Sequence, residues 1–407
     1  MICDVAVIGA GPAGLSAAVA AAEAGASVVV VDENAKPGGK LLGQLHEEPG
    51  SGWWIGAEIS KKLAARAVKA GVQILMEREV WGLFPQWKVA LNKGDSISAE
   101  YVVVATGAAE RALPVPGWTL PGVMAIGAAQ TLTNYYRVRP GDRIAVVGID
   151  PLSLTVASEL KMAGAEVVGI YLPPKDVFSG PRSDPDTILS YLAGMADLAP
   201  NPFLRFGGKL ASVPFLRRVA VAFYPRKGLP LLGSRLNLRR SVVGILGDDE
   251  VRQIEVATVD RQGNSSRSHQ ISVDCVCISG GLYPVQELTG GCDLAQIDEL
   301  GGTVPLHSAE METSQKNLFV AGNVTGIEGA KIAVAQGNLA GTVIASRLGG
   351  LQDQKEAIRR ASAAVVTARE TAAITFLPDI RKGRKIAEEL WVQRSTGEEN
   401  MGIEISI

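Results

Sequence analysis

The run ICDVAVI over residues 2–8 is apolar at nearly every position, the pattern of a short strand covered on both faces. Residues Leu15 to Ala24 follow as an Ala-rich helix closed by Gly25, and SVVVV forms the next strand, so the chain opens with a βαβ unit. A helix is predicted over Gly56 to Ala70, with Ile59, Leu63 and Val68 as its apolar positions. Alternation then predicts strands within VQILMEREVWGLF, KVALNK and AEYVVVATGA. The proline-rich stretch RALPVPGWTLPGV reads as a linker. After Pro140-Gly141 the opening pattern repeats as IAVVGIDPLSLTVASELKMAGAEVVGIYL, a second βαβ unit. Residues 173–240 are rich in Pro and Gly and carry Arg217, Arg218, Arg226, Lys227, Arg239 and Arg240, a solvated basic face or a partner surface. Strands resume at SVVGILG, VRQIEVATVD and HQISVDCVCISGG, and NLFVAGNVTGIEGAKIAVAQG predicts a strand, a turn and a helix. Beyond Gly350, Ile358, Ala361, Val365, Ala368 and Ala372 fall on one face of a last helix, to which the sequence assigns no chemistry.

Composition narrows the class. A chain of 407 residues accommodates two domains and a small appendage. Its 46 glycines and 5% aromatic residues favour an α/β protein with close backbone packing. The net charge of -2 gives no basic face for a nucleic-acid partner. Cys3, Cys275, Cys277 and Cys292 form no CxxC and no metal-ligand spacing, which predicts buried thiols, a reducing compartment and no metal site. Asp4 stands where a signal peptide has basic residues and Glu23 interrupts the apolar run. The expectation is a cytoplasmic protein with no transmembrane segment.

The two βαβ units differ at their turns. In the first, Gly9, Gly11 and Gly14 follow a strand and open a helix. The first glycine permits the tight turn, the second admits a pyrophosphate to the backbone, and the third lets helix and strand pack. The helix start then offers free N–H groups and a partial positive charge, and Asp32 stands where an acid bonds ribose hydroxyls. In the second unit the corresponding positions are Gly148, Asp150 and Ser153. Asp150 brings bulk and negative charge to the place where two phosphates would sit. At the end of the following strand Tyr171 and Leu172 occupy the place of the NAD-binding acid, with Lys175 nearby. Nicotinamide binding is therefore expected to be weakened or lost, and ATP in a different pose stays open.

The glycine motif alone does not separate FAD from NAD. VDENAKPGGK, VVVATGA and NLFVAGNVTG make the chain similar to two-dinucleotide-domain flavoproteins of the glutathione and thioredoxin reductase superfamily. The resemblance implies two Rossmann-like domains. Residues 1–112 and 285–350 form an FAD domain, split by an inserted NAD(P)-like domain at 120–284, and 351–407 form a helical C-terminal extension. It places non-covalent FAD at Gly9, Gly11, Pro12, Ala13, Gly14, Asp32, Glu33, Gly39, Lys40, Val80, Ala105, Thr106, Gly107, Gly322, Asn323 and Ala330. Asn323 replaces the superfamily's Asp. Leu41 and His46 fall where a redox cysteine pair lies in the glutathione reductase pattern, and the CxxC of thioredoxin reductase is missing, so reduction of a disulfide by an internal cysteine pair is not expected.

ERALPVPGWTLPGVMAIGAAQTL and GGTVPLHSAEMETSQKNLFVAGNVTGIEGAKIAVAQG resemble the A or α subunits of dye-linked amine dehydrogenases: opine oxidase, hydrogen cyanide synthase, heterotetrameric sarcosine oxidase and L-proline dehydrogenase. That resemblance implies an FAD-binding electron-transfer subunit of a complex acting on CH–NH or CH–NH2 donors. The implied partners are a D-amino-acid-oxidase-like flavoprotein subunit, where the amine is oxidised, and a small iron–sulfur subunit. Residues 349–407 contain no cysteine, so the cluster-bearing segment of many members is absent from this stretch. Two alternatives stay open: a stand-alone NAD(P)H-dependent FAD oxidoreductase and a non-catalytic nucleotide-binding scaffold. Lys40, beside the flavin's pyrimidine, and His46, as an acid–base group, are the catalytic candidates. Trp53 and Trp54 cover a substrate channel or pack at an interface.

Overall fold

The computed structural model describes residues 1–48, 52–194, 213–225, 227–231, 233–260, 262–372 and 375–396; Arg226 lies outside them. The first βαβ unit is β1 (Ile2–Ile8), α1 (Pro12–Glu23) and β2 (Val28–Val31). After α2 (Gly56–Lys69) come β3 (Gln73–Leu75), β4 (Val80–Phe84), β5 (Lys88–Leu91) and β6 (Ser96–Val104). Strands β3, β2, β1 and β6 lie side by side and parallel, with β5 and then β4 antiparallel beyond the start of β6. VQILMEREVWGLF thus makes two short strands, β3 and β4.

The chain then builds a second sheet. β7 (Val123–Ala125) leads into α3 (Ile126–Asn134), and the second βαβ unit is β8 (Arg143–Val147), α4 (Pro151–Met162) and β9 (Glu166–Leu172). Helices α5 (Pro185–Gly194) and α6 (Pro214–Ala222) precede β10 (Ser234–Leu246), β11 (Gln253–Val259), β12 (Ser265–Ser272) and β13 (Cys275–Ile278). The strand order is β7-β13-β8-β9-β10-β11-β12. β10 starts seven residues before the expected SVVGILG, because Arg239 and Arg240 interrupt the apolar run without ending the strand. Arg239 turns its head aside, donating to the Ala222 carbonyl at 3.0 Å. The proline-rich linker lies on the second sheet, where Leu113 and Val115 are buried in its core.

The return strand β14 (Leu318–Val320) pairs in parallel with the end of β6, through Leu318 with Val102 and Val320 with Val104. α7 (Ala330–Arg347) then packs on α1. A Cβ added at Gly337 would lie 2.0 Å from the Ala13 carbonyl oxygen, and one at Gly341 2.3 Å from that of Ala17. This is the close backbone packing that the Ala- and Gly-rich composition predicts. Among its described residues the extension forms two helices, α8 (Gln354–Glu370) and α9 (Ile380–Thr396). α8 buries Ala361 and Val365 in the first core, with Ile358 and Ala368 packed beside them; Ala372 lies past its end. α9 packs through Ile380, Ile386, Ala387 and Leu390 against Ile297, Leu300 and Val304. No described helix is long and apolar enough to cross a membrane.

Candidate functional site

A cavity of about 900 Å³ opens at the carboxyl ends of β1, β2 and β6, facing α3 and the start of α4, where open α/β sheets take their ligands. Every residue expected to bind the cofactor lines it except Gly14: Gly9, Gly11, Pro12, Ala13, Asp32, Glu33, Gly39, Lys40, Val80, Ala105, Thr106, Gly107, Gly322, Asn323 and Ala330. Gly14 sits beneath the wall, where its Cβ would fall 1.9 Å from the Gly9 carbonyl oxygen. Gly9 has φ +104°, and a Cβ there would meet the Ala105 carbonyl oxygen at 2.4 Å. Gly11 differs from both. Its φ of −74° suits any residue, and a Cβ would meet nothing within 4 Å. Gly9 and Gly14 therefore serve the fold, while Gly11 faces open space in the cavity.

The cavity fits a dinucleotide at this helix start. No side chain caps α1, so its first N–H groups keep their capacity for a ligand. Asp32 is buried in the turn, accepting from Ala10 N at 2.6 Å through Oδ2 and from Asn34 N and Nδ2 at 2.8 Å through Oδ1. Two carboxylate oxygens offer about four acceptor sites, so Asp32 still has room for a ribose hydroxyl. At the other end, Gly322 N donates to Gln336 Oε1 at 2.8 Å and Asn323 Oδ1 accepts from Glu328 N at 3.1 Å. The Asn323 amide N–H2 remains as a donor, a role the superfamily's Asp does not supply when ionised.

The second βα turn has the same frame and a different occupant. Gly148 has φ +103°, and a Cβ there would lie 2.0 Å from the Ser279 carbonyl oxygen, as at Gly9 and Ala105. Asp150, the residue corresponding to Gly11, caps α4: its Oδ1 accepts from Ser153 N at 2.8 Å, and Ser153 Oγ accepts from Asp150 N at 3.0 Å. Asp150 Oδ2 accepts from Ser279 Oγ at 2.6 Å. The carboxylate thus takes a donor that a phosphate would use, and burial raises its pKa from the ordinary range. Tyr171 and Leu172 are buried in opposite cores. Lys175 donates to the Gln262 carbonyl at 2.7 Å and to Asn264 Oδ1 at 3.2 Å, so its ammonium is already engaged where a 2′-phosphate would need it.

The two catalytic candidates separate. Lys40 lies on the cavity wall. His46 lies outside it, on a hairpin where its ring stacks on Trp54 with centroids 6.0 Å apart. Trp54 Nε1 donates to Gln44 Oε1 at 3.0 Å, while Trp53 is exposed.

Other wall groups have no motif to announce them. Glu110 accepts from Gly127 N at the start of α3 at 3.1 and 3.2 Å. Burial raises its pKa against the opposing pull of that N–H and of Lys40. Behind α3, Glu159 is 2% exposed and accepts from Gln130 Nε2 at 3.1 Å and Asn134 Nδ2 at 2.8 Å. Asn134 Nδ2 also donates to the Gly43 carbonyl at 2.7 Å, tying α3 to the cavity loop. Burial pushes Glu159 up to about 7. Glu328 and Phe376 also line the wall. Among the described residues no group of His, Cys, Asp and Glu is placed to hold a metal.

Residues 3–177 match the pyridine nucleotide-disulphide oxidoreductase family, and residues 303–352 match glucose inhibited division protein A. The A subunit of opine oxidase from Agrobacterium tumefaciens (strain Ach5) is 30% identical over 97% of this chain and 73% of its own length. The alpha subunit of sarcosine oxidase from Rhizobium meliloti (strain 1021) is 28% identical over 88% of this chain, which spans only 30% of that relative. Among solved structures, L-proline dehydrogenase from P. horikoshii superposes with a TM-score of 0.62 at 19% identity, covering 88% of this chain and 59% of that one. Thioredoxin reductase from T. acidophilum gives 0.61 at 22% identity, covering 85% and 99%. Both share its fold. The two-sheet architecture is the fold of both solved structures, and residues 3–177 carry the sequence pattern of the pyridine nucleotide-disulphide oxidoreductase class. Within that class the chain belongs to the family of the opine oxidase A subunits.

Proposed function

We propose that the chain holds FAD in the cavity and acts as the electron-transfer subunit of a complex that oxidises an amine or amino acid. FAD would be held by residues 1–112 and 285–350, with 120–284 as a nicotinamide-type domain that no longer takes its ligand. The observation that carries this reading is the contrast between the two helix starts: α1 is uncapped over an open cavity, whereas α4 is closed by Asp150. When bound, FAD supplies the two-electron chemistry. The chain's own part is to fix the pyrophosphate at Gly11–Ala13 and the ribose at Asp32, and to present Lys40 and the start of α7 to the ring system. The names of the relatives, subunits of opine and sarcosine oxidases, support partner subunits; the partners we propose are a companion flavoprotein of the D-amino-acid-oxidase type, where the amine is oxidised, and a small iron–sulfur protein.

An anaerobic titration of the purified flavoprotein tests this reading. Stoichiometric NADH or NADPH should leave the flavin's visible absorbance unbleached within seconds, and proline, sarcosine, glycine or opines with an artificial acceptor should give no robust turnover. Rapid bleaching by either nicotinamide would favour the stand-alone reductase, and turnover by the isolated chain would remove the need for a partner. A colourless protein that binds ATP would favour the scaffold.

A further inference from the structure

The extension, to which the sequence assigns no chemistry, reaches the cavity. Glu328 lies on the wall, immediately before the uncapped start of α7, and its backbone N–H fixes Asn323. Its carboxylate is held from behind by two guanidinium groups of the extension. Arg369 Nε on α8 donates to Oε1 at 2.9 Å, and Arg384 Nη2 on α9 donates to Oε2. Arg384 is 8% exposed and also donates from Nη1 to the Thr325 carbonyl at 2.7 Å.

Two cations and one anion leave this cluster with a net charge of +1. Burial works to raise the Glu328 pKa, but the two guanidiniums outweigh it and hold the carboxyl below its ordinary range. Burial brings Arg384 down to about 10, so it stays charged at neutral pH. His307, nearby, is pushed down to about 4 by burial and adds no charge. The acid of α9 that acts on Arg384, Glu388, is solvent-exposed and screened. The excess positive charge is thus retained in a region of low solvent access, behind a helix start whose own dipole has the same sign.

We propose that the Arg369–Glu328–Arg384 cluster is an electrostatic positioning element of the flavin site, which fixes the Asn323–Ala330 turn and favours the reduced cofactor. This rests on the FAD reading above. Two-electron reduction of the bound isoalloxazine with uptake of one proton adds one negative charge, and a fixed cation beside the site stabilises that product relative to the neutral oxidised ring.

The test uses the full chain loaded with FAD, reduced by dithionite against redox dyes, together with FAD affinity from fluorescence quenching. Arg369→Met, at the more exposed arginine, should disfavour the reduced state by about tenfold, ~30 mV for a two-electron couple. Glu328→Gln should move the potential the opposite way, and Arg369→Lys should restore it. A role confined to folding would weaken FAD binding in both neutralising variants without shifts of opposite sign. Unchanged potentials, or shifts of one sign, would overturn the inference while leaving FAD in its cavity. A wild-type chain that binds no flavin would overturn the FAD reading and this inference with it.

Discussion

Replacing Gly11 separates the fold from the cofactor, because the three glycines of the first turn do different work. Gly11 has φ −74° and ψ −176°, with no atom within 4 Å of an added Cβ. Gly11→Ala should therefore leave the apoprotein as stable as the wild type, or more stable by ~0.4–1 kcal/mol through the lower entropy of its unfolded chain. The same carbon, and still more the branched side chain of Gly11→Val, fills the space through which a pyrophosphate reaches the start of α1. A charge-assisted hydrogen bond contributes about 1.5–3 kcal/mol. Losing two would weaken FAD binding by ~3–6 kcal/mol, roughly 10²–10⁴ in Kd. Flavin fluorescence titration gives the Kd. Thermal unfolding with and without FAD gives the rest, since a ligand at 100 times its Kd adds about 2.7 kcal/mol to the wild type. Gly14→Ala is the counterpart: its Cβ would lie 1.9 Å from the Gly9 carbonyl oxygen, so apoprotein stability should fall. A Gly11→Val protein with a full flavin complement would refute this placement of the pyrophosphate.

Asp150→Ala removes the cap of α4 and should cost about 1–2 kcal/mol in urea unfolding, with Asp150→Asn losing less because it can still accept from Ser153 N; equal stability of all three would contradict the capping role. Glu159 titrates near 7 when folded against an ordinary 4.5, so the folded chain binds a proton that the unfolded chain releases. Its contribution is full below about 4.5 and is lost as pH rises through about 7, by on the order of 3 kcal/mol. The stability difference between wild type and Glu159→Gln should accordingly change from pH 5 to pH 8 as the wild type loses that contribution, and a pH-independent difference would show that the group titrates normally. Lys175→Met should not alter the response of the flavin to NADPH, since its ammonium is held by the 262–264 turn; stopped-flow absorbance checks this.

What could be read from sequence follows from how local each interaction is. The opening βαβ unit was legible because its signals lie within one short stretch: a strand covered on both faces, a turn needing φ +104° at Gly9, and small residues on α1. The cavity wall was legible for the same reason, each segment carrying its own short motif. Glu110, Glu159, Glu328 and Arg384 were not, because each acquires its role from a partner on another element. Glu328 and Arg384 are 56 residues apart, and Gln130 and Glu159 are 29 apart. A buried acid can be assigned only when its donors are known. Asp150 stands out in the sequence as an intrusion into a glycine motif, but its conversion into a helix cap depends on Ser153, which reads there only as a small residue.

The capped start of α4 also divides the molecule by what each half needs in order to finish folding. Asp150 and Ser153 complete that turn from within the chain, so the start of α4 reaches its final hydrogen bonding without help. At α1 no side-chain cap takes the first backbone donors, which on the FAD reading are left for the cofactor's phosphates. On the FAD reading, cofactor loading would then be the closing step of maturation for the first sheet, whose return strand β14 arrives only after the whole inserted half has been synthesised. Before that step, amide exchange at Ala13 and Gly14 should run faster than at Leu152 and Ser153. The supply of flavin during synthesis, rather than the stability of the inserted half, would set how much finished protein a cell obtains.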